Sequence, residues 1–146
     1  MYGDTETIRG LASTMRTHAA AIDTEAEVLL ARAEETPWEG LAADAMRRRV
    51  GAQVLALRRT SRLHDDAATA LERHADRVDR LKALIAAIER KVMALVEAAR
   101  HRLTGLVDAV LPDPVDELLA RFVPPPSGHR DWLTVDLPRL DLGVLS

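Results

Sequence analysis

The sequence predicts an all-α protein, an antiparallel helix-turn-helix hairpin with a long second helix. Apolar residues alternate at spacings of four and three over two long stretches, which is the pattern of helices that pack along a seam. A Pro-Trp-Glu-Gly sequence, residues 37–40, separates the two stretches. Only 3% of the residues are aromatic, and alanine, leucine, arginine and glutamate dominate, as in long helices.

The first helix is predicted from Asp4 to about Glu35. Asp4 is a good N-cap, and Glu6 places a negative charge in the first turn, where it suits the helix dipole. Leu11 and Leu30 widen an apolar row that otherwise alternates large residues with alanine: Ile8, Ala12, Met15, Ala19, Ile22, Ala26, Leu29 and Ala33. Half of this row is alanine, which allows another helix to approach closely.

The second helix is predicted to begin near Leu41 and to run to Pro112, with Gly105 as its one weak point. Its apolar row weakens at Ser61 and His64 but otherwise continues as Met46, Val50, Val54, Leu57, Ala68, Leu71, Ala75 and Val78. The hairpin therefore spans residues 4–111.

The two predicted helices differ in length, so the first covers the second only to about residue 75. Residues 78–111 carry an apolar face without cover from the hairpin. It is either a partner surface or the place where the tail folds back, and its candidate residues are Leu81, Ile85, Ile88, Val92 and Leu95.

The break between the helices places a tryptophan on a turn. Pro37 has no amide hydrogen and Gly40 admits backbone angles that other residues resist, so the helix ends here and Trp38 can contact the ends of both helices. A helix, a W-x-G turn and a second helix resemble the WXG100 family, small proteins handled by type VII secretion systems of Gram-positive bacteria and actinobacteria. Trp38 and Gly40 match the family motif, and the resemblance covers roughly residues 4–100.

The resemblance implies an interaction protein that pairs with itself or a WXG100-like paralogue into a four-helix bundle. It implies a secreted substrate or the helical partner or chaperone of one, with Trp38 and Gly40 recognised by the partner or by a secretion ATPase. Two helices rarely bury enough surface to be stable alone. The predicted bundle seam consists of Ile8, Met15, Ile22, Leu29, Val50, Val54, Leu57, Leu71 and Val78.

Charge divides along the hairpin. Residues 1–44 hold nine acids and three bases, whereas residues 45–64 hold six arginines and no acid. Antiparallel packing would place these arginines against the acids of the first helix: Arg47, Arg48, Arg49, Arg58, Arg59 and Arg62 against Asp23, Glu25, Glu27, Glu34 and Glu35. A nucleic-acid surface over Arg47–Arg62 is the weaker alternative, because the chain is net −3 and no aromatic residue separates the arginines.

Residues 112–146 form a proline-rich extension beyond the usual length of the family. Asp113 and Pro114 predict the start of a short helix that Pro124–Pro126 ends. Ser127–Arg130 resemble a linker, and the remaining tail is expected to be partly ordered, docking in extended form on the second helix or staying mobile.

Family members commonly carry a Tyr-x-x-x-Asp/Glu export signal just after the second helix. Here Tyr2-x-x-x-Glu6 has the spacing at the wrong end of the hairpin, and Trp132-x-x-x-Asp136 lies downstream but lacks the tyrosine. Either a partner supplies the signal, or the protein is a chaperone or adaptor that is not itself exported.

No catalytic, cofactor or metal site is predicted. The chain has no cysteine, and His64 and His74 stand ten residues apart on one helix, too far to share a metal. The N-terminus lacks the apolar core of a general secretory signal peptide, and no stretch is apolar enough for a membrane span. Localisation is therefore expected to be secreted through type VII secretion, or cytoplasmic for a partner or chaperone. Amphipathic membrane binding through residues 78–111 remains the alternative function.

Overall fold

The computed structural model describes residues 4–106 and 110–143. Within these residues it contains three α-helices, one 3-10 helix and no strand: α1 Thr5–Glu35, α2 Leu41–Thr104, α3 Pro114–Ala120 and the 3-10 helix Arg130–Thr134. The chain divides into two compact units, and the division falls at residues 77 and 78 of α2. We call Asp4–Arg77 the hairpin unit and the residues from Val78 onward the C-terminal unit. This division lies well before residue 111, where the sequence places the end of the hairpin.

Helix α1 has the predicted boundaries. The Asp4 side chain accepts a hydrogen bond from the Glu6 amide at 3.0 Å, which caps the helix. The helix ends at Glu35 because Thr36, which precedes Pro37, takes an extended conformation with ψ near 114°.

The two helices of the hairpin unit meet through small residues. The buried residues of α1 are all alanines seven residues apart, and those of α2 that repeat every seven residues are mostly small as well. We call them the small-residue seam: Ala12, Ala19, Ala26 and Ala33 on α1, with Val54, Ser61, Ala68 and Ala75 on α2. The large α1 residues between these alanines, Ile8, Met15, Ile22 and Leu29, are only half-buried. The alanines therefore make the closest contact between the helices.

Ser61 continues the seam where the sequence analysis expects it to weaken. Its side chain is almost fully buried, at 1% exposure, and its hydroxyl donates a 3.0 Å hydrogen bond to the backbone carbonyl of Ala19. A side chain as short as serine reaches a facing backbone only if the helices are close together. The expectation of a weak point was wrong, because a small hydroxyl fits between close backbones and has its hydrogen bond there.

Helix α2 ends at Thr104, earlier than the predicted stop at Pro112. The Gly105 amide still donates to the His101 carbonyl at 3.1 Å, and the next amide, that of Leu106, bonds the carbonyl three residues back. Glycine loses the most backbone freedom in a helix, so the weak point at Gly105 becomes the end. Residues 107–109 lie outside the described part of the chain.

The core of the C-terminal unit forms between α2 and the chain that follows it. Its buried residues are Ile85, Ile88, Val92, Val96 and Trp132. Partly buried residues of the extension pack against them: Phe122, Val135, Leu137, Leu140 and Leu142. Of the two uses predicted for the apolar face of residues 78–111, the structure shows the tail folding back. Three of the five predicted partner residues, Ile85, Ile88 and Val92, are therefore buried within the chain, while Leu81 and Leu95 are half-buried.

Local structure in the extension is partly as predicted. Asp113 caps α3 by accepting from the Val115 amide at 2.9 Å, with Pro114 at the first helical position. Residues 127–129 of the expected linker lie in a turn and lead into the 3-10 helix Arg130–Thr134, which His129 caps through the Asp131 amide. The order that follows comes from burial of Trp132, which local sequence does not indicate.

An ion cluster joins α2, α3 and the end of the extension. Asp116, only 5% exposed, accepts two hydrogen bonds from Arg102 at 2.8 and 2.7 Å and a third from Arg139 at 2.9 Å. Arg139 also donates to Asp113 at 2.6 Å. The hydrogen bonds from Arg102 lower the pKa of the Asp116 carboxyl, and the Arg139 charge adds to this effect. We call Arg102, Asp113, Asp116 and Arg139 the Asp116 cluster.

Replacement of Ser61 tests how closely the helices approach. Ser61→Ala removes one hydrogen bond and should cost about 0.5–1.5 kcal/mol of stability. Ser61→Leu fills the apolar row as the sequence pattern suggests, but it should cost about 1–3 kcal/mol because the seam has no room for it. Urea unfolding followed by circular dichroism measures both. A leucine variant as stable as the parent would show that the helices do not approach closely.

The Asp116 cluster predicts acid sensitivity of the C-terminal unit. Because the folded-state pKa of Asp116 lies below its ordinary value of 3.8, the stabilisation is complete above about pH 4–5 and is lost as pH falls through the folded pKa. In a Trp38→Phe background, Trp132 fluorescence should report a thermal midpoint that falls more steeply below pH 5 in the parent than in Asp116→Asn. Equal pH slopes in the two proteins would contradict this role of Asp116.

Candidate functional site

The turn between α1 and α2 presents the motif that the sequence analysis singled out. The Trp38 amide donates to the Thr36 carbonyl at 2.8 Å, which closes a tight turn. Gly40 follows with φ of +101°, a conformation that favours glycine. Its carbonyl then accepts from the Asp44 amide at 3.0 Å, so α2 begins directly after the turn.

Arg47 attaches this turn to α2. Its guanidinium donates to the carbonyl oxygens of Trp38 at 2.7 Å and Thr36 at 3.2 Å. It also lies 3.7 Å from the Asp44 carboxylate. The sequence predicts charge matching of Arg47 with α1 and gives no sign of this contact, because carbonyl acceptors in a turn leave no pattern in the sequence.

Trp38 is half-exposed at this turn. The residue is 49% exposed, and Leu41 beside it is 89% exposed. Arg47 supplies the described polar link across the turn. The half-exposed indole next to a leucine forms an apolar surface at this end of the hairpin, of the kind that a partner can bind.

The ion pairs of the hairpin unit run opposite to the predicted direction. Arginines of α1 bind acids of α2: Arg9 lies 2.7 Å from Asp76, and Arg16 lies 2.7 Å from Glu72 and 3.5 Å from Asp65. The hydrogen bonds from Arg16 lower the pKa of the Glu72 carboxyl. All of these side chains lie on one side of the small-residue seam, which we call the charged flank.

The predicted charge matching brings four residues together without forming a salt bridge. Asp23, Glu27, Arg58 and Arg62 line one shallow surface depression. No salt bridge shorter than 4.0 Å joins the α1 acids Asp23–Glu35 to the arginines of residues 47–62 in the described chain. Long side chains on a solvated face gain little from a fixed pairing, so proximity of opposite charge does not require one.

The other side of the seam carries seven of the nine residues of the predicted bundle seam, together with Leu11 and Met46. We call it the apolar flank: Ile8, Leu11, Met15, Ile22 and Leu29 on α1, with Met46, Val50, Leu57 and Leu71 on α2. Eight of the nine are half-buried, and Leu11 is 51% exposed. Val54 and Val78, which the sequence analysis also placed in the bundle seam, are buried within the chain.

A histidine pair shows that the two rows of the apolar flank lie side by side. The rings of His18 and His64 meet edge to face, with centroids 6.1 Å apart. His18 stands seven residues after Leu11, and His64 stands seven residues from Leu57. Residues seven apart share a helix face, so the ring contact joins the two rows. No group of three or more metal-ligating side chains occurs in the part of the chain that the structure describes.

The two candidate export signals differ in what the structure shows. Trp132 is 1% exposed, and its indole nitrogen donates to the Pro126 carbonyl at 2.9 Å. Trp132 is thus a core residue of the C-terminal unit. This structural role is the alternative to an export signal at Trp132-x-x-x-Asp136. Tyr2, in the other candidate, lies outside the described residues.

A known protein family matches the part of the chain that contains the hairpin unit. The family described as "Putative T7SS secretion signal domain" matches residues 1–91, which include α1, the turn and most of α2. The chain belongs to this family. The T7SS secretion signal match supports a type VII secretion-related protein and does not distinguish WXG100 proteins within that group. No curated protein and no solved structure matches the chain. None of the helices in the described residues is long and apolar enough to cross a membrane.

Gly40 provides a test of the turn. Gly40→Ala should destabilise the hairpin by about 1–2 kcal/mol, because an L side chain is strained at a positive φ although there is space for its methyl group. Gly51→Ala is the matched control, since Gly51 lies inside α2 with equally open surroundings and should gain about 0.5–1 kcal/mol. Urea unfolding measures both, and equal effects of the two substitutions would contradict a strained turn.

Proposed function

We propose that this protein is a type VII secretion substrate that leaves the cell as a helical bundle, paired with a second copy or with a WXG100-like paralogue. Membership of the T7SS secretion signal domain family supports the secretion route. The W-x-G turn supports kinship with WXG100 proteins. The apolar flank of the hairpin unit carries the pairing part of the proposal.

The hairpin unit has two unlike sides, and only one suits another hairpin. Arg9 and Arg16 of the charged flank lie about 120–140° around α1 from Ile22, at 100° per residue. Their ion pairs with α2 satisfy that side within the chain. On the apolar flank, large side chains stay half-buried because the small residues of the seam occupy the contact.

A partner hairpin would complete the burial of this flank. Two helices of this size leave too much apolar surface in water for high stability, and a second pair would convert the flank into the core of a four-helix bundle. Trp38 and Leu41 would then stand at the end of the bundle, in reach of a secretion ATPase or of the partner chain. The role of chaperone or adaptor uses the same surfaces and differs only in whether this chain is exported.

The two other functions considered from the sequence have less support. The apolar face proposed for lipid binding has Ile85, Ile88 and Val92 buried against the C-terminal extension. In the arginine run proposed for nucleic acid, Arg47 binds the turn, and Arg58 and Arg62 lie beside Asp23 and Glu27. Much of the apolar face and three of the six arginines therefore lie against groups of the same chain.

Leu11→Glu tests pairing and export together. Leu11 is 51% exposed, so the hairpin should keep its helical circular dichroism, while a buried carboxylate in the bundle should lower self-association or partner binding at least ten-fold. Light scattering measures the mass, and the ratio of tagged protein in culture medium to cells measures export.

Thr24→Glu is the matched control. It adds the same charge to an exposed position on α1, on the face turned away from the flank, and should leave both measurements unchanged. Normal pairing and export of Leu11→Glu would refute the proposed interface. Normal pairing with no export of the parent in a host with type VII secretion would favour the chaperone role.

A further inference from the structure

The α2 portion of the C-terminal unit carries the heptad pattern of a two-stranded coiled coil. Val78, Ile85 and Val92 lie seven residues apart, and Leu81, Ile88 and Leu95 each follow three residues later. Each first heptad position is β-branched, and leucine fills the fourth in two heptads of three. In parallel coiled coils, this distribution favours two strands. The pattern from Val78 to Leu95 predicts a partner helix of about five turns.

Within the described residues, no helix of that length covers this face. Its cover comes from Trp132 of the 3-10 helix and from Phe122, Val135, Leu137, Leu140 and Leu142 of the irregular chain around it. Trp132 packs on Ile85, Ile88, Val92 and Val96, whereas Leu81 and Leu95 remain half-buried. A face with coiled-coil spacing is thus occupied by a segment of a different shape, which covers it incompletely.

Among the described residues, few polar contacts attach this segment to α2, and most of them are exposed to solvent. The Gly128 amide donates to Glu89 at 3.2 Å, and Arg100 bonds the Ala120 carbonyl at 3.4 Å. The Asp116 cluster supplies the ion pairs, in which the buried Asp116 carboxylate binds arginine side chains that are 48% and 45% exposed, so salt screens these pairs only in part. Arg139 further adopts φ of +66°, a conformation with a cost for a non-glycine residue.

We propose that residues 113–142 are an intramolecular cover over a coiled-coil surface, and that their displacement lets two copies of this chain pair in parallel through Val78–Leu95. The cover and the second copy bury the same side chains, so the two states exclude each other. The surface belongs to the C-terminal unit, whereas the apolar flank consists of residues of the hairpin unit.

Disulfide trapping tests the proposal, since the natural chain contains no cysteine. Val92→Cys places a thiol at the first position of a heptad, where the two copies of a parallel coiled coil bring identical residues together. An antiparallel pair would separate the two thiols. The parent protein carries only Val92→Cys. The released variant carries Trp132→Ala and Arg139→Gly in addition to Val92→Cys. Glycine at 139 removes the guanidinium without backbone strain.

Arg130→Ala in the parent is the matched control, because it removes an exposed arginine of the same segment. After oxidation in a glutathione buffer, the released variant should form disulfide-linked dimer at least ten times faster than the parent and the control. Adding Leu11→Glu to every chain removes pairing through the apolar flank, so failure of that interface does not alter this result.

Three outcomes would overturn the proposal. Equal, rapid linkage of parent and released variant would show that the segment does not cover the surface. A released variant that stays helical and links no faster than the control would show that the surface does not pair with a second copy. Loss of α2 helicity on release, measured by circular dichroism, would show that the segment is part of the fold rather than a displaceable cover.

Discussion

The close contact of α1 and α2 along the small-residue seam determines the rest of the hairpin unit. Alanine at every seventh residue of α1 leaves no side chain to hold the helices apart, and Ser61 reaches the carbonyl of Ala19. Helices that approach through small residues cannot bury the larger ones beside them. Ile22 and Leu57 are therefore displaced onto one side, where they remain half-buried. The surface available to a partner is a direct consequence of this contact.

The ion pairs of the charged flank contribute more to the orientation of α1 against α2 than to the stability of the hairpin unit. The pairs of Arg9 with Asp76 and of Arg16 with Glu72 are largely exposed, and ion pairs on a solvated surface add little to stability. These charged side chains nevertheless occupy one side of the seam, so a partner that bound this side through apolar contacts would bury their charges. The free energy that favours a bundle must come from burial on the opposite side, because water is excluded only where large apolar side chains meet.

Local features of the sequence predicted local structure well. Asp4 and Pro37 mark the ends of α1, and Asp113 with Pro114 marks the start of α3, because caps and prolines act through neighbouring residues. Local sequence did not predict the burial of Ser61. A polar residue in an apolar row suggests a weak point in the helix contact unless the distance to the facing backbone is known. The same limit applied to the turn, where Arg47 binds carbonyl groups nine and eleven residues away.

Contacts distant in sequence account for the remaining differences. The apolar face beyond residue 78 was predicted, but its cover depends on Trp132, forty residues from Val92, and on Arg139, 26 residues from Asp113. Contacts over such distances leave no periodic pattern in the sequence. The sequence alone therefore did not decide whether a partner or the tail covers this apolar face.

The mass of the purified protein in solution tests the central claim most directly. Size exclusion with light scattering, at micromolar concentration and neutral pH, should give twice the mass of one chain if the apolar flank pairs two copies, with a single cooperative unfolding transition. A monomer that is fully helical, soluble and equally cooperative would contradict the account, because it would show that the half-buried flank is stable in water without a partner.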